Sequence, residues 1–136
     1  MVRKRRSVDD KLEALDSLGS AIDPERATQH IQAALGDRHY RVVAKAAKLC
    51  AERLLYTLER DLFTAYRRFL PDPVKRDPHC IAKRAIAGAL VDLDCNDVEF
   101  FIGGLAYRQL EPVWGGTVDT ACLLYTSDAA DEVVPV

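Results

Sequence analysis

The chain has 136 residues, and 19 Lys or Arg side chains against 21 Asp or Glu side chains give it a formal net charge of −2. Its 49% hydrophobic and 29% charged residues are typical of one globular domain or one piece of a repeat array, and the near-neutral charge argues against a general nucleic-acid-binding surface. Because no apolar run is long enough for a membrane span or a secretory signal, we expect a cytoplasmic protein.

Residues 1–22 predict a basic tail followed by one short helix. The basic side chains of the tail are Arg3, Lys4, Arg5 and Arg6. A terminal cluster without interleaved aromatic residues is typical of a solvated segment, so nucleic acid is not expected as a partner. Ser7 and Asp10 have the spacing of a helix capping box. Asp23 and Pro24 then predict the start of a second helix, with the proline in the first turn.

The stretch from Tyr40 to Pro71 keeps a helical apolar period without an internal Gly or Pro. This pattern permits one helix of about 30 residues. We favour two helices with a break near residues 55–57, because Thr57 can cap a new start and helices in soluble proteins average about 10 to 14 residues.

Prolines at positions 71, 73 and 78 predict a loop before two further helices. The apolar side of the first consists of Ile81, Ala85, Ile86, Ala89, Leu90 and Leu93. The second follows a cap at Asn96 and Asp97, and its apolar stripe consists of Val98, Phe101, Ile102 and Leu105. Pro112, Gly115 and Gly116 are expected to end that helix, and residues 117–119 to begin another.

Two segments of the chain match each other at a shift of 38 residues. Val43, Ala44, Lys45, Ala47 and Ala51 correspond to Ile81, Ala82, Lys83, Ala85 and Ala89. This period is close to that of two-helix repeats of the HEAT and armadillo type. The alternative interpretation is a pair of unrelated amphipathic helices.

These motifs resemble those of bacterial HEAT-repeat proteins, in which an Asp at the turn between helices precedes a Val-Arg/Lys pair and small residues on the second helix. Asp37 followed by residues 42–47 is similar to that pattern, and Asp77 followed by residues 81–85 is a second instance. Residues 111–121 resemble a loop between repeats and the helix start after it. The chain departs from the family pattern at Val43, where Arg is more common.

The resemblance implies an all-α, HEAT-like α-solenoid of antiparallel helix pairs over residues 23–121, with about three pairs and the last one incomplete. The function it implies is a noncatalytic scaffold that binds a protein partner. HEAT-like folds also include enzymes that resemble bilin lyases and nucleic-acid binders that resemble DNA glycosylases. The alternative is therefore an enzyme or a nucleic-acid-binding protein whose site lies partly beyond this sequence.

No catalytic, cofactor or metal motif stands out in the sequence. The three histidines, His30, His39 and His79, lack the spacing of metal ligands on one helix face. Cys50, Cys80 and Cys95 lack CxxC spacing, so we expect neither a zinc site nor a disulfide framework.

One group of residues is a candidate surface for a protein partner. It consists of Tyr107, Arg108, Glu111 and Trp114. Tyr, Arg and Trp are enriched in binding hot spots, and these residues follow a predicted helix end. The alternative is structural, with Trp114 filling a gap between repeats and Glu111 capping the next helix.

The C-terminal segment resembles a translated sequencing adapter. Residues 122–132 back-translate to the transposase end sequence of a common library kit. We therefore expect residues 122–136 to be a non-native tail without function, as tags and scars are, and the preceding sequence to be a fragment of a longer bacterial gene from a metagenomic assembly.

Overall fold

The computed structural model describes residues 7–18, 23–97, 99–100, 103 and 107–123, and most of them are helical. The α-helices are α1 (Val8–Asp16), α2 (Pro24–Leu35), α3 (Tyr40–Glu52), α4 (Glu59–Arg68), α5 (Pro73–Arg76) and α6 (Ile81–Asp92). They are followed by strands β1 (Leu110–Val113) and β2 (Gly116–Asp119), and short 3-10 turns lie at Tyr56–Leu58, Pro78–Cys80 and Thr120–Leu123. The predicted tail residues Arg3, Lys4, Arg5 and Arg6, the stripe residues Val98, Phe101, Ile102 and Leu105, and residues 124–136 lie outside this description.

The first two helices begin as the sequence predicts. The Ser7 hydroxyl accepts a hydrogen bond of 3.1 Å from the Asp10 amide, and the Ser7 amide donates one of 3.3 Å to the Asp10 carboxylate. This reciprocal pair confirms the capping box at the start of α1. Pro24 stands in the first turn of α2, where its missing N–H would have had no partner in any case.

The break between α3 and α4 confirms that this stretch forms two helices. Leu54 has a φ of 53°, in the left-handed region, and the Leu55 amide donates to the Cys50 carbonyl over 3.0 Å. This arrangement is the Schellman motif that commonly ends helices. Thr57 does not cap the new helix, because α4 begins after Leu58 without a capping side chain.

Helix α6 ends in the same way. Asp94 has a φ of 56°, and the Cys95 amide donates to the Leu90 carbonyl over 2.9 Å. The two helices that carry the matching segments, which are offset by 38 positions, therefore share their terminating motif as well as their alanines.

The hydrophobic core is centred on α3, which packs against α1, α2 and α6, while α6 also packs against α4. The side chains that α3 and α6 bury are mostly small or branched, and they include Val43, Ala46, Ala47, Cys50, Ala82, Ile86, Ala89 and Leu90. Small side chains let the two helix axes approach closely. The matching segments of the sequence are thus direct neighbours in the fold.

The hairpin of β1 and β2 corrects one prediction. Residues 117–119 belong to β2, which pairs antiparallel with β1, and they do not begin a helix. The turn of the hairpin consists of Trp114 and Gly115, and Gly115 has a φ of 90°, which favours glycine. Thr117 and Val118 are β-branched and favour a strand. Pro112 is tolerated because β1 lies at the edge of a two-stranded sheet.

The segment before α6 has an irregular backbone. His79 and Cys80 have φ values of 61° and 56°, so two consecutive residues other than glycine lie in the left-handed region. Such conformations cost free energy and persist only where neighbouring groups hold them.

Within the described part of the chain, no helix combines the length and the apolar character that crossing a bilayer requires.

Candidate functional site

The structure divides the four predicted partner-binding residues into two groups. Glu111 is buried and Tyr107 is half-buried, whereas Arg108 is exposed and Trp114 is completely exposed, at 101% of its reference area. The two inward residues lie among polar groups beneath the hairpin. Within the described residues Trp114 fills no gap, and the donors that Glu111 binds are the His79 amide and the side chains of Gln109 and Thr120.

Beneath the hairpin lies a cluster of polar side chains that we call the buried polar network. Its members are Asp77, Cys80, Lys83, Gln109, Glu111 and Thr120, each no more than 5% exposed. The cluster joins the residues at the start of α6 to the hairpin and to the turn that follows it. Buried polar groups are costly unless they are hydrogen-bonded, so the pairing of each member matters.

Glu111 accepts hydrogen bonds from three directions. Its carboxylate receives the His79 amide at 2.6 Å, the Thr120 hydroxyl at 2.6 Å and the Gln109 side-chain amide at 3.0 Å. The other carboxylate oxygen lies 4.0 Å from the His79 imidazole Nδ1. Three donors on one carboxylate stabilise its charged form.

Gln109 connects the two sides of the network. Its Nε2 also donates to the Asp77 carbonyl at 2.7 Å, and its Oε1 accepts from the Cys80 thiol and the Tyr107 hydroxyl, each at 3.1 Å. This connecting role of Gln109 was not predicted from the sequence, because its partners Asp77 and Cys80 are distant along the chain.

A fully buried ion pair closes the network at α6. Lys83 Nζ lies 3.0 Å from Asp77 Oδ2, and neither side chain is exposed. The Asp77 carboxylate also accepts the Ala82 amide at 2.7 Å and the Lys83 amide at 3.1 Å, so it caps the first turn of α6. Lys83 Nζ donates to the Phe69 carbonyl at 3.2 Å and lies 5.4 Å from the centre of the Tyr107 ring.

These surroundings shift the pKa values of several groups. Burial raises the pKa of the Glu111 carboxyl, but the bonds from Thr120, from the His79 amide and from Gln109 outweigh it, and the pKa lies below its usual value. Burial raises the pKa of the Cys80 thiol, and it raises the pKa of Tyr107 to about 12 with help from neighbouring anions. Both groups are therefore protonated at neutral pH.

The polar groups of the network form hydrogen bonds and an ion pair with one another. Lys83 is enclosed by its partners, and the Cys80 thiol is protonated and buried, which makes it a weak nucleophile. Among the residues that the structure describes, no group of three or more His, Cys, Asp or Glu side chains could hold a metal ion. The hydrogen bonds of this arrangement attach the hairpin to the helices.

Four apolar side chains of the hairpin are exposed, with Leu110 on one face, Val113 and Val118 on the other, and Trp114 at the turn. We call the exposed side chains of Leu110, Val113, Trp114 and Val118 the hairpin surface, and they are between 42% and 101% exposed. A separate groove of about 280 Å³ lies beside Tyr107 and is lined mainly by aromatic side chains, including Phe63, Tyr66 and Phe100. The sequence indicated Trp114, but the three neighbouring aliphatic side chains were missed because the hairpin itself was not predicted.

The comparisons with known proteins return no relative. No family model matches the chain, and neither a curated protein nor a solved structure matches it.

Proposed function

We propose that the chain is a noncatalytic scaffold of the HEAT-repeat type that binds a protein partner through its hairpin surface. The observation that carries this proposal is the complete exposure of Trp114 at the hairpin turn, with Leu110, Val113 and Val118 also exposed on the adjoining strands. Tryptophan is rarely left in water by a folded protein, and clustered exposed apolar side chains mark interaction sites.

The helical part supports the same proposal. The matching segments on α3 and α6 pack against each other, and both helices end in a Schellman motif. In solenoids of stacked helix pairs, equivalent helices are neighbours in this way. Such folds use their exposed surfaces for binding, and an antiparallel hairpin that projects a tryptophan adds a specific anchor to that surface.

The partner that fits this surface presents an apolar pocket large enough for an indole ring. Tryptophan anchors act by filling such pockets, and removing one commonly costs about 2 kcal/mol or more of binding free energy. We therefore expect Trp114→Ser to weaken binding by about 30-fold or more.

The proposal is tested with the intact chain immobilised as bait. A nuclease-treated bacterial lysate is passed over wild-type protein, Trp114→Ser and the control Tyr56→Ser, since Tyr56 is also exposed, at 53%, but lies far from the hairpin along the chain. A protein retained by wild type and by the control, but not by Trp114→Ser, is then purified and its Kd is measured for all three. Light scattering of the bait alone identifies a second copy of this chain as the partner.

Two outcomes contradict the proposal. Equal Kd values for wild type and Trp114→Ser exclude the hairpin surface as the anchor. Retention of the chain on DNA that falls steeply with salt favours a nucleic-acid-binding function, because phosphate contacts release counterions.

A further inference from the structure

The attachment of the hairpin to the helices is almost entirely polar. Within β1 and β2 the one buried side chain is Glu111. The apolar contact nearby is small, since it consists of Cys80 and Ala121 with Tyr107 packed against them. Among the residues that the structure describes, the hairpin therefore has no large hydrophobic contact like the one that joins the helices to one another, and a two-stranded hairpin alone is only marginally stable.

The network that replaces this anchor depends on one charge. The Glu111 carboxylate accepts the Thr120 hydroxyl and the Gln109 side chain from the hairpin side and the His79 amide from the helical side. It is thus the charged group that pairs donors from both sides, while Gln109 adds neutral hydrogen bonds across the same contact. Hydrogen bonds to a charged acceptor are about twice as strong as those between neutral groups, so loss of the charge weakens all three together.

The backbone at the attachment point opposes docking. His79 and Cys80 both hold left-handed φ values, and the His79 amide is one of the groups that Glu111 binds. When that bond is lost, the two residues are free to return to a conformation of lower energy. The hydrophobic cluster that joins α1, α2, α3, α4 and α6 does not depend on Glu111, because its members are apolar; the buried charges of the helical part are Asp77 and Lys83, which pair with each other.

We infer that the hairpin is a separately docking element, held on the helical core by the Glu111 carboxylate and released as a unit when that carboxylate is protonated. Its docked pKa is depressed, so docking is stabilised above the ordinary glutamate pKa of about 4.3 and is lost as the pH falls through the docked value. The hairpin surface is consequently held in a fixed orientation at neutral pH and becomes mobile in acid.

Other titratable groups around this carboxylate influence the transition. They are Asp77, His79, Cys80, Lys83, Tyr107 and Asp119. Asp77 and Lys83 compensate each other's charge. A protonated His79 attracts the Glu111 carboxylate and therefore opposes release. Asp119 binds the Gln109 and Ala121 amides within the base of the hairpin and does not reach the helices.

Cys80 provides a direct measurement of hairpin docking. Its thiol is completely buried beneath the hairpin, whereas the equally buried Cys50 belongs to the helical core. The intact chain is exposed between pH 7 and about pH 3 to dithiodipyridine, which reacts with thiols in acid. The labelling of each cysteine is then quantified by mass spectrometry, and far-UV circular dichroism follows the helices.

We expect Cys80 labelling to rise about tenfold or more relative to Cys50 in acid, while the helical signal persists. Glu111→Gln should label Cys80 faster already at pH 7 and should lose the pH dependence. The matched control Glu52→Gln, which removes an exposed carboxylate of α3, should behave as wild type. Thr120→Val keeps the carboxylate but removes one of its donors, so its transition should move to higher pH.

The inference is independent of the proposed partner, because no partner enters the experiment. It is overturned if Cys50 and Cys80 become reactive together, since the hairpin then opens only with the whole fold. It is also overturned if Glu111→Gln keeps the wild-type pH dependence, which would assign the transition to another carboxylate.

Discussion

Lys83→Met should lower the free energy of unfolding by about 3 to 5 kcal/mol, because it leaves the buried Asp77 carboxylate without its counter-ion. Lys83 Nζ lies 3.0 Å from Asp77 Oδ2, and both side chains are completely buried. Methionine has a similar length and shape, so little cavity is created and the loss reports mainly on charge. The expected loss is a large share of the roughly 5 to 15 kcal/mol by which a whole domain is stable.

The assay is urea unfolding followed by far-UV circular dichroism. Lys48→Met is the matched control, because Lys48 is an exposed lysine of α3, and its effect should stay within about 0.5 kcal/mol. The double variant Asp77→Asn with Lys83→Met should lose less than the sum of the two single variants, because it removes both charges of the pair.

A small effect would refute this reasoning. If Lys83→Met costs less than about 1 kcal/mol, the Asp77 carboxylate is satisfied without the lysine, either by the backbone amides that it caps or by water. Strict additivity in the double variant would lead to the same conclusion. The ion pair would then have no part in fixing the start of α6.

Three further predictions concern the fold. Gly115→Val should lower the free energy of hairpin opening by about 1 kcal/mol or more, because Gly115 has a φ of 90°. Amide hydrogen exchange of β1 and β2 measures this opening, and Gly116→Val is the control. Ile86→Ala should cost about 2 to 5 kcal/mol and Ile81→Ala much less in urea unfolding, since Ile86 is fully buried and Ile81 is 39% exposed. Ser7→Ala should cost about 1 kcal/mol through loss of the capping box, and equal melting temperatures of variant and wild type would contradict that role.

The helices were predictable because their signals are local. Ala27, Ile31, Ala34 and Leu35 have the spacing of an apolar stripe on α2, and all of them are buried except Ala34, which is half-buried. The break after α3 was predicted at nearly the right place but for the wrong reason. Leu54 ends the helix in a left-handed conformation, and this conformation could not be predicted because it is uncommon for residues other than glycine.

The hairpin was missed because its residues have two interpretations. Pro112 and Gly115 end helices, and they are equally common at sheet edges and turns. The expectation of a helix start at residues 117–119 came from treating these residues as a loop between two helices, and the resemblance to helical repeats agreed with it. The β-branched Thr117 and Val118 were the local signal for a strand, and that signal was given too little weight.

The site was only partly predictable from the sequence. Trp114 and Glu111 were identified by residue type, but their opposite burial was not. The hydrogen bonds of the network join residues as far apart as His79 and Glu111, which are separated by 32 positions. No periodicity links such partners, so a buried glutamate and an exposed one look alike in a single sequence.

Asp37 lies at the turn before α3, and Asp77 lies at the turn before α6. The surroundings of the two aspartates differ, and the hairpin is attached at the second turn. At the first turn Asp37 Oδ2 lies 2.7 Å from Lys11 Nζ, but the two side chains are 15% and 38% exposed. Such a pair contributes at most about 1 kcal/mol and is screened by salt. At the second turn Asp77 is completely buried, and its main-chain carbonyl binds Gln109. The ion pair at the start of α6 and a hydrogen bond that holds the hairpin therefore meet at one residue, Asp77, through its side chain and its main chain respectively.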